Sequence, residues 1–201
     1  MKTLKLTKKD FKKTDNYWMD YIGKEDISNY DGNVEIEGGL GYVKFNSINI
    51  KGYLLTKAGT SIEAGTGIKA GCGITVGSSI EAGSSIKAGT SIEAGYSVKA
   101  GAGIEAGDGI EAGDGIEAGF GITCKKSLNI GLRIFAGLYL WRKPTKNELE
   151  ITCGKLESGE VCYGDLIETG IEEDDDKVEI TCEGKTVKIS RESAIALNLT
   201  K

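Results

Sequence analysis

Residues 61–78 read SIEAGT GIKAGC GITVGS, and residues 103–120 read GIEAGD GIEAGD GIEAGF. An aliphatic residue recurs every six positions from Ile62 through Ile134 without a slip, and Leu140 keeps the phase. Ala stands two residues later in most units, with Val76, Cys124 and Ile130 as exceptions, and Gly follows it. Ile-x-Ala is a two-residue step, so Ile and Ala face one side of an extended segment and the middle residue faces the other. The middle residues, among them Glu63, Lys69, Glu81, Lys87, Glu93 and Lys99, are nearly all charged, as a solvated face requires. Gly then allows a tight turn that carries no side chain. A strand-turn unit this short cannot bury its apolar side alone, but stacking coil on coil does so. Helix is disfavoured by one or two Gly in every six residues. Collagen is excluded because Gly does not recur at every third position.

The period therefore predicts a mainly β chain: a single-stranded β-helix, or β-solenoid, with a six-residue repeat. Three units make an 18-residue triangular coil and two make a flatter 12-residue coil, and both fit the composition. The phase from Ser61 to Leu140 covers 80 residues, roughly four and a half of the larger coils at a spacing of ~4.8 Å per coil.

Composition narrows the chemistry. The 201 residues carry 25 Lys plus Arg and 30 Asp plus Glu, a net charge of −5, with 30 Gly, one Pro and no His. Without His, no mechanism or metal site that needs imidazole can operate. The weak acidity argues against nucleic-acid binding by the chain as a whole. No apolar run of about 18 residues is present, so no membrane-spanning helix is expected. The start, MKTLKLTKKDFKK, lacks the apolar stretch of a signal peptide. Cysteines stand at 72, 124, 153, 162 and 182. An odd number without a secretory signal points to reduced thiols in a cytoplasm, that of a bacterial host cell being the expected one.

The flanks differ from the array. Residues 1–33 form a basic, aromatic segment read as an N-terminal cap, in which Thr7-x-x-Asp10 is the pattern of a capping box opening a short helix. Phe11, Trp18 and Ile22 would share one face of that helix. A lid is needed because an open solenoid end exposes strand edges. Residues 34–144 form the solenoid, with 34–57 as strands leading into the array. Residues 145–201 read as a small α+β unit: short strands in ELEITC, EVCYG and DLIET, an acidic turn at 171–176, and a hairpin KVEITC-EG-KTVKIS closed by Glu183-Gly184. Ser190 opens a last short helix over RESAIALNL.

Units such as Ile62-Glu63 with Thr66, and Ile80-Glu81 with Ser84, resemble those of the hexapeptide-repeat parallel β-helix proteins. Tyr96, Asp108, Asp114 and Phe120 depart from that pattern at a place the family keeps small, so Ile and Ala are taken as the inward pair. The best-known enzymes of that family use His as base or zinc ligand, which this chain lacks. The stretches NYDGNVEIEGGLGYVKFNSINIKG (29–52), LRIFAGLYLWRKP (132–144) and LESGEVCYGDLIE (156–168), with the array between, resemble Gly-rich repeat proteins of bacterial phages and prophages. That resemblance implies a phage or mobile-element setting.

Several residues merit weighing as sites. Cys153, Cys162 and Cys182 lack a C-x-x-C pair, and Ile151-x-Cys153 and Ile180-x-Cys182 put each Cys on the same strand face as an aliphatic, so buried small hydrophobes are the better reading than zinc ligands. Glu105, Asp108, Glu111, Asp114 and Glu117 form an acidic stretch with no basic residue between Lys99 and Lys125. Such a string could imitate nucleic-acid phosphates. In an 18-residue coil, however, 105, 111 and 117 fall on three faces. Tyr96 and Phe120 sit at outward turn positions and are candidate binding anchors. Leu132, Phe135, Leu138, Tyr139 and Trp141 make the end of the array apolar, either as contacts to the C-terminal unit or as a homodimer face.

No nucleophile–base pair, phosphate loop or metal cluster emerges, so no enzyme activity and no cofactor are expected. The expected role is protein binding, without direct contact to membrane or nucleic acid. Given the phage resemblance, the expected partner is a host bacterial defence protein that the chain inhibits, for instance a CRISPR effector, with Tyr96, Phe120 and the five acidic residues as contacts. The alternative is a self-assembling structural component of a phage or cytoskeleton.

Overall fold

The computed structural model describes residues 1–14, 17–139 and 142–171, and the backbone of the strands Lys177–Cys182 and Lys185–Ser190. Leu140, Trp141, the acidic turn, the Glu183-Gly184 loop and the expected last helix lie outside the described residues. The chain divides into two units, Met1–Ile171 and Glu172–Lys201.

The first unit is a parallel β-solenoid of about seven turns. Coil length is decided by register: Ile62 pairs with Ile80, Ile80 with Val98, Ile86 with Ile104 and Ile92 with Ile110. Each step is 18 residues, so each coil holds three repeats and the 12-residue coil is excluded. Near the N-terminus the step widens, with Val34 on Leu54 and Ile48 on Ile68. Each coil contributes one short strand to each of three faces. In the fourth, Ile92–Ala94 lies on the first face, Val98–Ala100 on the second and Ile104–Ala106 on the third.

Every repeat shows the same burial, with Ile and Ala inward and the middle residue outward. The Ile columns are essentially sealed from solvent, Ile74, Ile80, Ile86 and Ile92 included. Removing each such side chain from water contributes about 1.5–3 kcal/mol. Identical residues stacked in register fill the interior evenly, which is why so plain a sequence gives a packed core.

The stack extends past the array at both ends. Lys2–Leu6 pairs in parallel with Gly32–Ile36 on the first face. Phe11–Lys13 and Trp18–Tyr21 form an antiparallel hairpin that joins the second face through Gly41–Phe45. Thr7 donates its backbone N–H to the Asp10 carboxylate at 2.8 Å, but it opens a single 3-10 turn, Lys8–Asp10, rather than a longer helix. Phe11, Trp18 and Ile22 consequently do not share a helical face. Phe11 is buried against Tyr21 and Phe45, at 5.7 Å from each ring, while Ile22 is exposed. Pairing to a sheet imposes a period of two, which aligns Phe11 with Tyr21 instead.

At the other end Ser127–Phe135 bends across two faces. Beyond this strand the described residues 142–149 end in a one-turn helix, Lys146–Leu149, and the chain resumes the third face at Glu150–Cys153. Lys155–Tyr163 and Asp165–Glu168 lie on the seventh turn. In the second unit, Lys177–Cys182 and Lys185–Ser190 form the expected antiparallel hairpin, with Val178 opposite Ile189.

Candidate functional site

The 18-residue coil fixes which outward residues are neighbours. Glu105 lies on the third face, Glu111 on the first and Glu117 on the second. Asp108 and Asp114 occupy the corners between them. The five acidic residues thus spread over all three faces of the rod and are not gathered into one surface. Three of them meet lysines of neighbouring coils. Lys87 donates to Glu105, the Lys126 ammonium lies 3.1 Å from Asp108, and Lys99 lies 3.7 Å from Glu117. Glu111 stands in register with Glu93.

The two aromatic candidates separate. Tyr96 projects from the corner between the first and second faces and is 57% exposed. Phe120, at the next corner, is half-buried. Its ring centroid lies 5.3 Å from that of Tyr139, and the Arg142 guanidinium sits 5.8 Å away. Tyr139 and Arg142 therefore cover it. Arg142 also pairs with Glu148, whose carboxylate accepts the backbone N–H of Thr145 at 2.8 Å and its hydroxyl at 2.9 Å. Arg142 first, and then the Thr145 amide, hold the Glu148 carboxyl down at about 2. This clasp was open to sequence reading, since Thr145-x-x-Glu148 is a capping-box pattern.

Tyr96 shares its corner with Leu132, with Asp114 on the coil between them. Asp114 donates its N–H to the Tyr96 carbonyl at 2.8 Å, and Leu132 donates to that of Asp114 at 2.6 Å, so 96, 114 and 132 climb one ladder. Leu132 is 62% exposed. Phe135, in register with Tyr163, lies on the adjoining face. Leu132, Phe135, Arg133, Asp114 and Lys99 line a shallow cleft of about 370 Å³. A larger hollow of about 480 Å³ near the N-terminal end is lined by Asp20, Glu25, Asp26, Lys44 and neighbouring residues. Both lie open on the surface of the rod.

The cysteines divide by environment. Cys124 and Cys153 are buried, while Cys72 and Cys162 are exposed. Burial foremost, with Cys153 beside it, pushes the Cys124 thiol up to about 12. Burial, then Glu168, raises Cys153. Among the described residues no group of three or more Cys, Asp or Glu converges on a metal position, and no helix is long and apolar enough to cross a membrane.

Comparison with protein-family models, with curated proteins and with solved structures returns no match. The phage resemblance of the Gly-rich stretches therefore stands on those residues alone, whereas the β-solenoid stands on the strand register.

Proposed function

We propose that this chain is a non-catalytic, protein-binding rod that docks through the apolar corner of Tyr96, Leu132, Phe135 and Tyr163. The observation that carries the reading is the ladder Tyr96–Asp114–Leu132, which holds two large exposed side chains on hydrogen-bonded backbone. Aromatic and aliphatic anchors held rigid in the free protein lose little freedom on binding. Leu132, Phe135 and Tyr163 gather apolar surface on the last turns of an otherwise charged rod, as an interaction site does. The finer reading takes the partner as a bacterial defence protein that a phage-encoded chain inhibits; its support is the resemblance of residues 29–52, 132–144 and 156–168 to phage repeat proteins. The spread of the acidic residues around the coil favours this corner, rather than phosphate mimicry, as the contact.

The test is affinity capture from bacterial lysate, with and without nuclease, using the wild-type chain and Leu132→Asp. One stoichiometric protein retained after nuclease and lost with Leu132→Asp is the expected result. Equal capture by both chains removes the corner from the proposal. Protection of phage against a defence system in cells expressing the chain tests the finer reading.

A second reading, self-assembly, draws support from the last turn. The strand Asp165–Glu168 has one partner among the described strands, and its Leu166 and Ile167 are exposed. Static light scattering separates the two, since a filament former gains mass with concentration.

A further inference from the structure

Two buried cysteines stand one above the other on the third face. Ile122 pairs with Ile151 and Thr123 with Thr152 in parallel register. The next residues along those strands, Cys124 and Cys153, are therefore neighbours across the fifth and sixth coils. Both point inward and both are buried. Adjacent strands run about 4.8 Å apart, inside the Cα separation of roughly 4.4–6.8 Å that a disulfide spans. The two thiols are also close enough to interact, since Cys153 follows burial among the causes that raise the Cys124 thiol.

Packing alone does not call for sulfur at this position. Ala70, Ala88 and Ala106 stack in register beneath Cys124, so a methyl group fills the column in the earlier coils. Where the first face takes more volume, the same repeat position carries Val76 or Ile130. Cysteine enters only on the third face, at two consecutive steps of one column. The other cysteines with described side chains, Cys72 and Cys162, are exposed, and Cys162 follows Val161 on the second face. The Cys124–Cys153 step is also a wide one. From Ile122 to Ile151 the chain runs 29 residues, against 18 from Ile104 to Ile122. A tie across the longer loop removes more freedom from the unfolded chain than one across an ordinary coil.

We propose that Cys124 and Cys153 form a redox site, a dithiol that closes to a disulfide and fastens the sixth coil to the fifth. The oxidant is a small-molecule disulfide. One cysteine thiolate attacks it, forms a mixed disulfide and expels a thiolate. The second cysteine attacks the protein-bound sulfur, forms the Cys124–Cys153 bond and expels the other thiolate. Each cysteine gives up its proton and each expelled thiolate takes one up. The protein thus loses two hydrogen atoms and the oxidant is reduced to two thiols. Closure turns the Cys124 Sγ away from the Ser127 carbonyl, to which it donates at 3.5 Å. Because both thiols are buried in the folded stack, exchange takes place as the coils assemble or part locally. The site is independent of the docking corner, whose residues lie on other columns.

Trypsin leaves each cysteine on its own peptide, with Cys124 in 100–125 and Cys153 in 147–155. In the test, the full chain is diluted from urea into a mixture of reduced and oxidised glutathione, so that burial cannot block equilibration. It is then quenched, alkylated, digested and read by mass spectrometry. The expected result is the linked pair 100–125 with 147–155, exceeding any other cysteine pairing by about ten-fold or more. The oxidised chain should melt about 5 °C or more above the reduced one. Cys124→Ala and Cys153→Ala, which carry the residue of the coils beneath, should fold, lose the linked peptide and melt alike in oxidising and reducing buffer. If either variant fails to fold, the wild-type readouts decide alone. A chain that stays reduced in excess oxidised glutathione, pairing spread evenly over Cys72, Cys162 and Cys182, or a linked chain that melts no higher than the reduced one would overturn the proposal.

Discussion

Gly107 lies so close beneath Gly89 that a Cβ on Gly107 would collide with the Gly89 carbonyl oxygen. The same contact recurs along the corners, with Gly83 on Gly65, Gly101 on Gly83 and Gly119 on Gly101. None of these glycines has a positive φ, so the requirement is for space and not for a left-handed backbone. Each donates its N–H to the Ala or Val carbonyl of the coil before, as Gly107 does to Ala88 at 3.1 Å. Gly107→Ala must therefore force neighbouring hydrogen-bonded coils away from each other, at a cost of about 1–3 kcal/mol typical of overpacking. Gly65→Ala, at the same repeat position, meets its nearest neighbour at 3.6 Å and should be close to neutral. Urea melts of the two variants check the contrast, and equal effects would show that corner spacing does not set the requirement.

Those glycines also show how far sequence reading reaches. The six-residue phase, the inward Ile and Ala and the charged outer row follow from side-chain alternation, and the structure has all three. Coil length does not follow, because Ile62 stacks equally well on Ile74 or Ile80 by chemistry alone. Only backbone pairing selects Ile80. The seventh turn was hidden because Leu156 and Val161 obey no six-residue phase, and a bent strand with irregular register places them. Phe120 reads as an outward anchor until Tyr139 and Arg142 fold over it. Tyr96 has no such cover. Local repeats report local geometry, whereas a contact made beyond the repeat leaves only a capping pattern at Thr145 to announce it.

Thiol chemistry should separate the cysteines cleanly. The thiolate is the reactive form, and burial holds the Cys124 thiol near 12. Brief treatment of the folded chain with a maleimide at pH 7.5, followed by peptide mass spectrometry, should label Cys72 and Cys162 and leave Cys124 and Cys153 unmodified. Denaturant should expose the buried pair. Rapid labelling of Cys124 in the native chain would mean that the fifth and sixth coils open locally.

The clasp over Phe120 should respond to acid. Glu148 has a folded-state value of about 2, below its ordinary one of 4.5. A depressed carboxylate contributes stability that is fully present above the ordinary value and lost as pH falls through the folded one. The clasp should therefore loosen between about pH 4.5 and 2, and not at neutral pH. Carboxyl-carbon NMR of Glu148 should show its midpoint at the lower end of that window. Arg142→Ala should move the midpoint toward the ordinary value and release the Tyr139 ring from Phe120, seen as a loss of ring-current shifts. An unchanged midpoint in Arg142→Ala would assign the depression to the Thr145 amide alone.

The outer rows set charge against charge. Opposite charges face each other in Lys87–Glu105 and Lys99–Glu117, whereas Glu93 and Glu111 are like charges in direct register on the first face. Cross-strand pairs of opposite charge contribute about 0.2–1 kcal/mol, and like pairs oppose folding by a similar amount. Both glutamates are exposed, so the effect sits in the lower part of that range and is screened by salt. Glu111→Lys exchanges a repulsion for an attraction without touching the Ile110 and Ala112 core positions that flank it. It should raise the melting temperature at low salt, and the gain should shrink as salt is added. Lys99→Glu, which replaces the cation between Glu81 and Glu117 and leaves four successive carboxylates with Glu63 in the same column, should lower it. Thermal melts of both variants at 20 and 500 mM salt test the pair of expectations, and a gain for Glu111→Lys that survives high salt would point to strand propensity rather than charge as its source.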